Sequence, residues 1–214
     1  MLKTKVKASS VTNLTDARYF AAWEIEWLGF NFDPGSEAYI QPQAAQAIKE
    51  WIDGVKVAGE FGLQSFEEIL TAVDMLELDG VQIGRFGSIE TLKALHENEV
   101  PILLETVVED AGKLREAAAA FPQTAPYVEA FILNFDKNGI SWGALQGRPV
   151  EQLGQLCREY PVILSLDFNP ETLQEALESL NLYGINVRGG EEEKTGFKSF
   201  DELDELFEAL EIQE

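Results

Sequence analysis

Eight short runs rich in apolar and β-branched residues recur along the chain, and their spacing constrains the fold more than any other feature. The runs follow one another at intervals of roughly 22 to 30 residues, which is the length of one strand–helix unit. Most are continuously apolar, as in FILNF and PVILSLDF, a pattern typical of strands buried on both faces of a parallel sheet. The runs cover residues 3–8, 27–32, 55–61, 80–84, 101–107, 130–135, 161–168 and 184–188.

The segments between these runs have the apolar periodicity of helices. Apolar residues recur every three or four positions in 64–78 and again in 201–210. Ser65 followed by Glu68 predicts a capping box at the start of one helix. Asn169 followed by a proline predicts another helix start, because asparagine caps helices and proline fits their first turn.

Eight strand–helix units in 214 residues leave no room for a second domain. The sequence therefore predicts a closed (β/α)8 TIM barrel that forms a single domain over residues 1–214. An open, doubly wound α/β sheet is the alternative. It normally has fewer strands, and no glycine-rich dinucleotide fingerprint follows the first run.

The charge of the chain excludes several classes of partner. The chain has 38 acidic and 16 basic residues, a formal net charge of -22, so we expect it to bind neither nucleic acid nor an anionic membrane. No apolar run approaches the ~20 residues that a membrane span needs. The single cysteine, Cys157, excludes an internal disulfide and fits a reducing compartment. We expect a cytoplasmic protein, and the sequence leaves its oligomeric state open.

In a barrel of this kind, functional residues lie where the strands end and the following loops begin. This rule gives a set of polar and glycine positions along the chain. They are Ser9, Ser10, Thr12, Asn31, Asp33, Ser36, Glu60, Gln82, Arg85, Glu105, Thr106, Asn134, Asp136, Ser165, Asp167, Asn169, Asn186, Arg188, Gly189 and Gly190.

Two kinds of chemistry are open to these positions. The carboxylates could bind a divalent metal through oxygen or form an acid–base pair. Their spacing matches no metal motif, and an acidic chain exposes many carboxylates, so we predict no metal and no cofactor. Alternatively, the glycine pair after Arg188 could hold a phosphate through backbone N–H groups, although the acidic residues 191–193 oppose an anion.

The order of these segments resembles the phosphoribosylanthranilate isomerase family of tryptophan biosynthesis. The segments VKASSVTNLTDA, LGFNFDPGSEAYIQPQAAQAI, LQSFEEI and LDGVQIG carry the resemblance over the first part of the chain. ILSLDFNPETLQEAL and GINVRGGEEEKTGFKSFDEL stand where that family binds phosphate. The resemblance implies a TIM barrel, a small phosphorylated ligand, and an Amadori rearrangement with a cysteine as general base and an aspartate as general acid.

The chain departs from that family at both proton-transfer positions. Residues 7–12 read KASSVT where the family reads Lys-Ile-Cys-Gly-Ile-Thr, so Ser9 replaces the cysteine. A serine hydroxyl is a far weaker acid than a thiol and a poor base unless another group activates it. Asn134 replaces the family's aspartate and has no acidic proton to transfer. Asp136 would face the same way on a continued strand and is the candidate replacement acid.

The substrate-binding motifs differ as well. Residues 37–39 read EAY where the family has Pro-Arg-Tyr, and Gly84 replaces a histidine after the fourth strand. The family's Ala-Gly-Gly-Leu phosphate loop becomes SLDF at 165–168, in which Asp167 would repel phosphate. The positions that could still contact a substrate or its phosphate are Arg188, Gly189, Gly190, Asp167 and Arg85.

Three hypotheses follow from these departures. The first is a barrel of this family that no longer performs the Amadori isomerisation and serves as a binding or regulatory protein. The second is an active isomerase with an unusual acid–base pair, Ser9 with Asp136. The third is a different enzyme that uses an acidic mouth, with or without a metal. Because one barrel fold supports many functions, the fold alone does not choose among them.

Overall fold

The computed structural model describes residues 1–84, 87–189, 192–194 and 197–212, and it is a closed barrel of eight parallel strands. The predicted (β/α)8 barrel is therefore confirmed. The barrel strands are β1 (Lys5–Ser9), β2 (Trp27–Asn31), β3 (Lys56–Phe61), β4 (Gly80–Ile83), β5 (Ile102–Val107), β6 (Ala130–Asn134), β7 (Val162–Ser165) and β8 (Gly184–Arg188). Two short strands outside the barrel, β9 (Glu192–Lys194) and β10 (Phe197–Lys198), pair antiparallel with each other.

The barrel closes because its first strand pairs with its last. β1 and β8 are parallel and in register from Lys5 opposite Gly184 to Ser9 opposite Arg188. Every other neighbouring pair is parallel as well. All eight carboxyl ends therefore meet at one rim, which we call the mouth.

The interior of the barrel is layered, with apolar side chains below and polar side chains near the mouth. The lower layer is a buried apolar cluster of Trp27, Ala58, Leu103, Ala130, Ile132 and Ile163. Above it, the next inward-facing positions are polar and also buried. They are Lys7, Ser9, Glu60, Gln82, Glu105, Asn134, Ser165 and Asn186. Seven of the polar candidates from the sequence thus lie on the floor of the mouth.

Helices surround the barrel, and the expected caps are present. They are α1 (Leu14–Ala22), α2 (Pro42–Lys49), α3 (Phe66–Leu76), α4 (Ile89–Glu97), α5 (Leu114–Ala117), α6 (Phe121–Thr124), α7 (Arg148–Glu159), α8 (Pro170–Ser179) and α9 (Asp201–Leu210). Ser65 and Glu68 form the capping box of α3, and Asn169 caps α8. Over the described residues, no helix is long and apolar enough to cross a bilayer.

The connection between β5 and β6 departs from a regular strand–helix unit. It contains two four-residue helices, α5 and α6, and two single turns of 3-10 helix. Pro122 lies in the first turn of α6, and Pro126 lies in the 3-10 turn that follows. Because a proline lacks the N–H that a helix interior needs, the two prolines divide this segment into short pieces.

Candidate active site at the barrel mouth

The mouth opens into a cavity of about 1070 Å³. Strands β1 to β6 and β8 each contribute at least one polar side chain to its lining. These include Ser9, Asn31, Glu60, Gln82, Glu105, Asn134 and Asn186. The structure therefore brings together many of the strand-end residues that the sequence selected, including both positions matched to the family's base and acid. Thr106, Asp136, Ser165, Asp167 and Asn169 are not among the described lining residues.

Ser9 lies within a chain of directed hydrogen bonds. The Lys7 ammonium donates to Ser9 Oγ at 2.8 Å, and Ser9 Oγ donates to Asn186 Oδ1 at 2.6 Å. Asn186 Nδ2 then donates to Ser165 Oγ at 3.0 Å. The acceptor of the Ser9 proton is an amide oxygen, which is far less basic than a carboxylate or an imidazole. The hydroxyl is thus arranged as a neutral hydrogen-bonding group and not as an activated base.

A buried ion pair lies beside Ser9. Lys7 Nζ is 2.6 Å from Glu60 Oε1, and the two side chains are 0% and 5% exposed. Glu60 also accepts hydrogen bonds from the backbone N–H and the hydroxyl of Ser10, at 3.2 and 2.9 Å. Burial acts to raise the pKa of Glu60, but the Lys7 charge and these hydrogen bonds outweigh it and hold the pKa below 4.5.

Two backbone positions accommodate this ion pair. Ser10 has φ 56°, a left-handed conformation that non-glycine residues seldom adopt, and it stands where the resembled family has glycine. Its two hydrogen bonds to Glu60 compensate for that conformation. On β2, a Cβ added to Gly29 would overlap Glu60 Oε1 and lie 2.9 Å from Lys7 Nζ. The pair therefore requires a glycine at this position.

Asn134 is held in a second polar network. Its Nδ2 donates to Glu105 Oε1 at 2.7 Å, and its Oδ1 accepts from the backbone N–H of Lys137 at 3.0 Å. The Lys137 ammonium lies 2.9 Å from each oxygen of Glu105. Both ends of the Asn134 amide are thus engaged, and neither end carries a proton that an acid could transfer.

Asp136 does not lie on a continuation of β6. The strand ends at Asn134, Phe135 takes helical angles, and Asp136–Asn138 form a 3-10 turn. The expectation that Asp136 faces the same way on a continued strand is therefore wrong. Asp136 Oδ2 instead lies 3.0 Å from a guanidinium nitrogen of Arg188, and Asp136 is not part of the described cavity lining.

The positions expected to bind phosphate are only partly assembled. Arg188 and Gly189 line the cavity, but Arg188 is bound to Asp136. The buried carboxylate of Asp16 lies against Gly189, where an added Cβ would be 2.5 Å from Asp16 Oδ2. A carboxylate at that distance repels an anion. Asp167 lies beyond β7, is exposed, and does not line the cavity. Gly190 and Arg85 lie outside the described residues.

Three acidic side chains at the mouth are held in ion pairs. Glu60, Glu105 and Asp136 each bind a lysine or an arginine. Within the described ranges, no three His, Cys, Asp or Glu side chains come together as a metal site. The arrangement presents three closed ion pairs and a set of amides and hydroxyls, which suit hydrogen bonding to a ligand more than proton transfer.

A comparison with protein-family models gives a match over almost the whole chain. The family model for N-(5'-phosphoribosyl)anthranilate isomerase matches residues 6–209. The N-(5'-phosphoribosyl)anthranilate isomerase of Chlorobium luteolum is 27% identical over 217 residues, which cover 97% of each chain.

Two solved structures extend the comparison. The phosphoribosyl anthranilate isomerase of Thermus thermophilus is 29% identical with a TM-score of 0.76, covering 97% of this chain and 98% of that one. Another phosphoribosyl anthranilate isomerase, in complex with reduced 1-(o-carboxyphenylamino)-1-deoxyribulose 5-phosphate, has the same fold. It is 22% identical with a TM-score of 0.74, over 97% and 98% of the two chains.

Proposed function

The chain belongs to the N-(5'-phosphoribosyl)anthranilate isomerase family, and from this premise we propose that it is a ligand-binding member that does not perform the Amadori isomerisation. The observation that carries the proposal is the setting of Ser9. Its hydroxyl accepts from the Lys7 ammonium and donates to the Asn186 amide, so no basic group takes its proton.

The reaction requires two proton transfers. A base must remove a proton from a sugar carbon, and an acid must protonate the ring oxygen so that the ring opens. At the base position, a hydroxyl that already accepts from a cation has little capacity to accept a further proton. At the acid position, Asn134 offers only amide hydrogens, which are not acidic, and one of them is donated to Glu105. Neither half of the reaction has a proton-transfer group at the matched position.

The competing function is an active isomerase in which Ser9 and Asp136 replace the usual pair. Family membership over almost the whole chain favours it. Against it stands the position of Asp136, which binds Arg188 and is not among the described residues that line the cavity. An enzyme with a metal-binding acidic mouth has less support, because among the described residues no three metal-ligating side chains come together.

Several broader expectations accompany this proposal. The pairing of β1 with β8 supports a single domain over residues 1–214. Membership of a biosynthetic family and a buried free cysteine, Cys157, support a cytoplasmic location. The phosphorylated sugar bound to a relative makes a small phosphorylated compound one candidate ligand.

Complementation of a tryptophan auxotroph tests the proposal. A strain that lacks only this isomerase is transformed with the wild-type chain, and an active member of the family serves as the positive control. We expect no growth without tryptophan, although immunoblotting shows soluble protein. Growth at a rate near that of the positive control would refute the proposal and support the Ser9–Asp136 pair.

A further inference from the structure

Gln82 is the one buried amide on the described floor of the mouth whose oxygen has no hydrogen-bond partner. It lies on β4 two residues after Gly80, and a Cβ on Gly80 would point to the ring of Trp27 inside the barrel. Because alternate residues of a strand share a face, Gln82 also points into the barrel. It is 7% exposed and lines the cavity, yet Gln82 Oε1 has no partner.

The groups around Gln82 do not supply the missing donor. Its register partner on β3 is Glu60, which only accepts and is already bound by Lys7 and Ser10. Its register partner on β5 is the apolar Leu103. A buried acceptor without a partner destabilises the protein. A ligand that brings a hydroxyl or amine hydrogen to this point would remove that penalty.

The charges of the mouth favour an uncharged ligand. Two cations, Lys137 and Arg188, are among the described residues that line the cavity, and each is bound to a carboxylate within 3.0 Å. The described lining also includes the carboxylates of Asp33, Glu37, Glu60, Glu105 and Glu109, and such groups repel a phosphate. The buried Asp16 carboxylate beside Gly189 would also repel it. These carboxylates do not repel a neutral hydroxyl group and can accept hydrogen bonds from it.

From these observations we infer that the mouth binds an uncharged polyhydroxyl compound, such as a sugar or sugar alcohol without phosphate, and that Gln82 Oε1 accepts a hydrogen bond from one of its hydroxyls. The inference rests on the proposed function, because the isomerisation acts on a phosphate ester. Gln82 is a binding residue in this account, and it takes no part in proton transfer.

Two matched pairs of probes test the inference. Binding of D-ribose against D-ribose 5-phosphate, and of D-glucose against D-glucose 6-phosphate, is measured by ligand-observed NMR and by thermal shift at constant ionic strength. We expect at least one neutral sugar to bind, and its phosphate ester to bind no more tightly.

In Gln82→Leu we expect the affinity for that neutral sugar to fall at least tenfold while the melting temperature of the protein stays the same or rises, because the unpartnered oxygen is gone. Gln123→Leu, an exposed substitution outside the cavity lining, should leave binding unchanged.

Three results would overturn the inference: no binding of either neutral sugar, tenfold tighter binding of a phosphate ester, or wild-type affinity in a folded Gln82→Leu variant. Isomerase turnover measured on the same preparation separates the two proposals. Turnover refutes the proposed function, whereas preference for a phosphate ester without turnover refutes only the inference about the ligand.

Discussion

Removing the charge of Glu60 should destabilise the barrel far more than removing the charge of a surface carboxylate. In Glu60→Gln, the Lys7 ammonium stays fully buried but loses the carboxylate that compensates it. Breaking a buried pair from one side typically costs about 3–5 kcal/mol. The amide oxygen of the new side chain can still accept from Ser10, so we expect the lower end, about 3 kcal/mol. For a chain of this length that corresponds to a fall of roughly 6–12 °C in melting temperature.

Urea unfolding followed by far-UV circular dichroism measures this loss, and a surface pair provides the matched control. Glu26 lies 2.8 Å from Lys56, but the two side chains are 26% and 49% exposed. Glu26→Gln should therefore cost less than about 1 kcal/mol, because solvent screens an exposed pair.

A double-mutant cycle with Lys7→Met tests whether the cost comes from the pair itself. Once the buried ammonium is gone, Glu60→Gln should cost much less than it does in the wild type. The prediction is refuted if Glu60→Gln lowers the free energy of unfolding no more than Glu26→Gln does. It is also refuted if the losses caused by the Lys7 and Glu60 substitutions simply add.

Three further predictions follow from the structure of the mouth. Gly29→Ala should lose about 1–3 kcal/mol in urea unfolding, because its new methyl group overlaps Glu60 Oε1. Gly84→Ala, where an added Cβ meets no atom of the described residues within 4 Å, is the control, and an equal loss of stability in both variants would contradict this. The stabilisation from the Glu60 carboxylate, whose folded pKa is below 4.5, should be full above pH 4.5 and fall as the pH drops through that folded pKa. The stability difference between wild type and Glu60→Gln should therefore shrink in acid, and a difference independent of pH would show that the charge is not its cause. The double variant Ser9→Cys with Asn134→Asp should turn over the isomerase substrate roughly 10²-fold faster than buffer alone, since the new carboxyl, beside Glu105, would retain its proton. A rate equal to that of buffer in a folded double variant would place the defect elsewhere.

Much of the fold could be predicted from the sequence because the strands of this barrel are buried on both faces. Eight continuous apolar runs, each followed by helical periodicity, define the order and direction of the strands without any knowledge of distant contacts. The structure of the connection between β5 and β6 was harder to predict from the sequence. Its prolines break the helix into short turns, and only the packing of those turns decides where each one begins and ends.

The candidate site was predicted in position but not in its interactions. Ser9, Asn134, Glu60 and Glu105 were all expected at strand ends, and all four line the cavity. Lys7 could have been recognised as a partner of Ser9, because residues two apart on a strand face the same way.

The bonds made by the loop after β6 could not have been predicted in the same way. Phe135 turns the chain out of the strand, which directs Asp136 to Arg188 and Lys137 to Glu105. Such contacts depend on a loop conformation that no local sequence pattern defines.

The most direct test of the account is the turnover of N-(5'-phosphoribosyl)anthranilate by the purified wild-type chain. The substrate is generated enzymatically, and its consumption is followed by the fluorescence of the anthranilate group, with an active family member as reference. The account predicts a rate equal to that of the buffer alone, because Ser9 and Asn134 supply neither base nor acid. A kcat of about 1 s⁻¹ or more, within the ordinary range of enzymes, would contradict it.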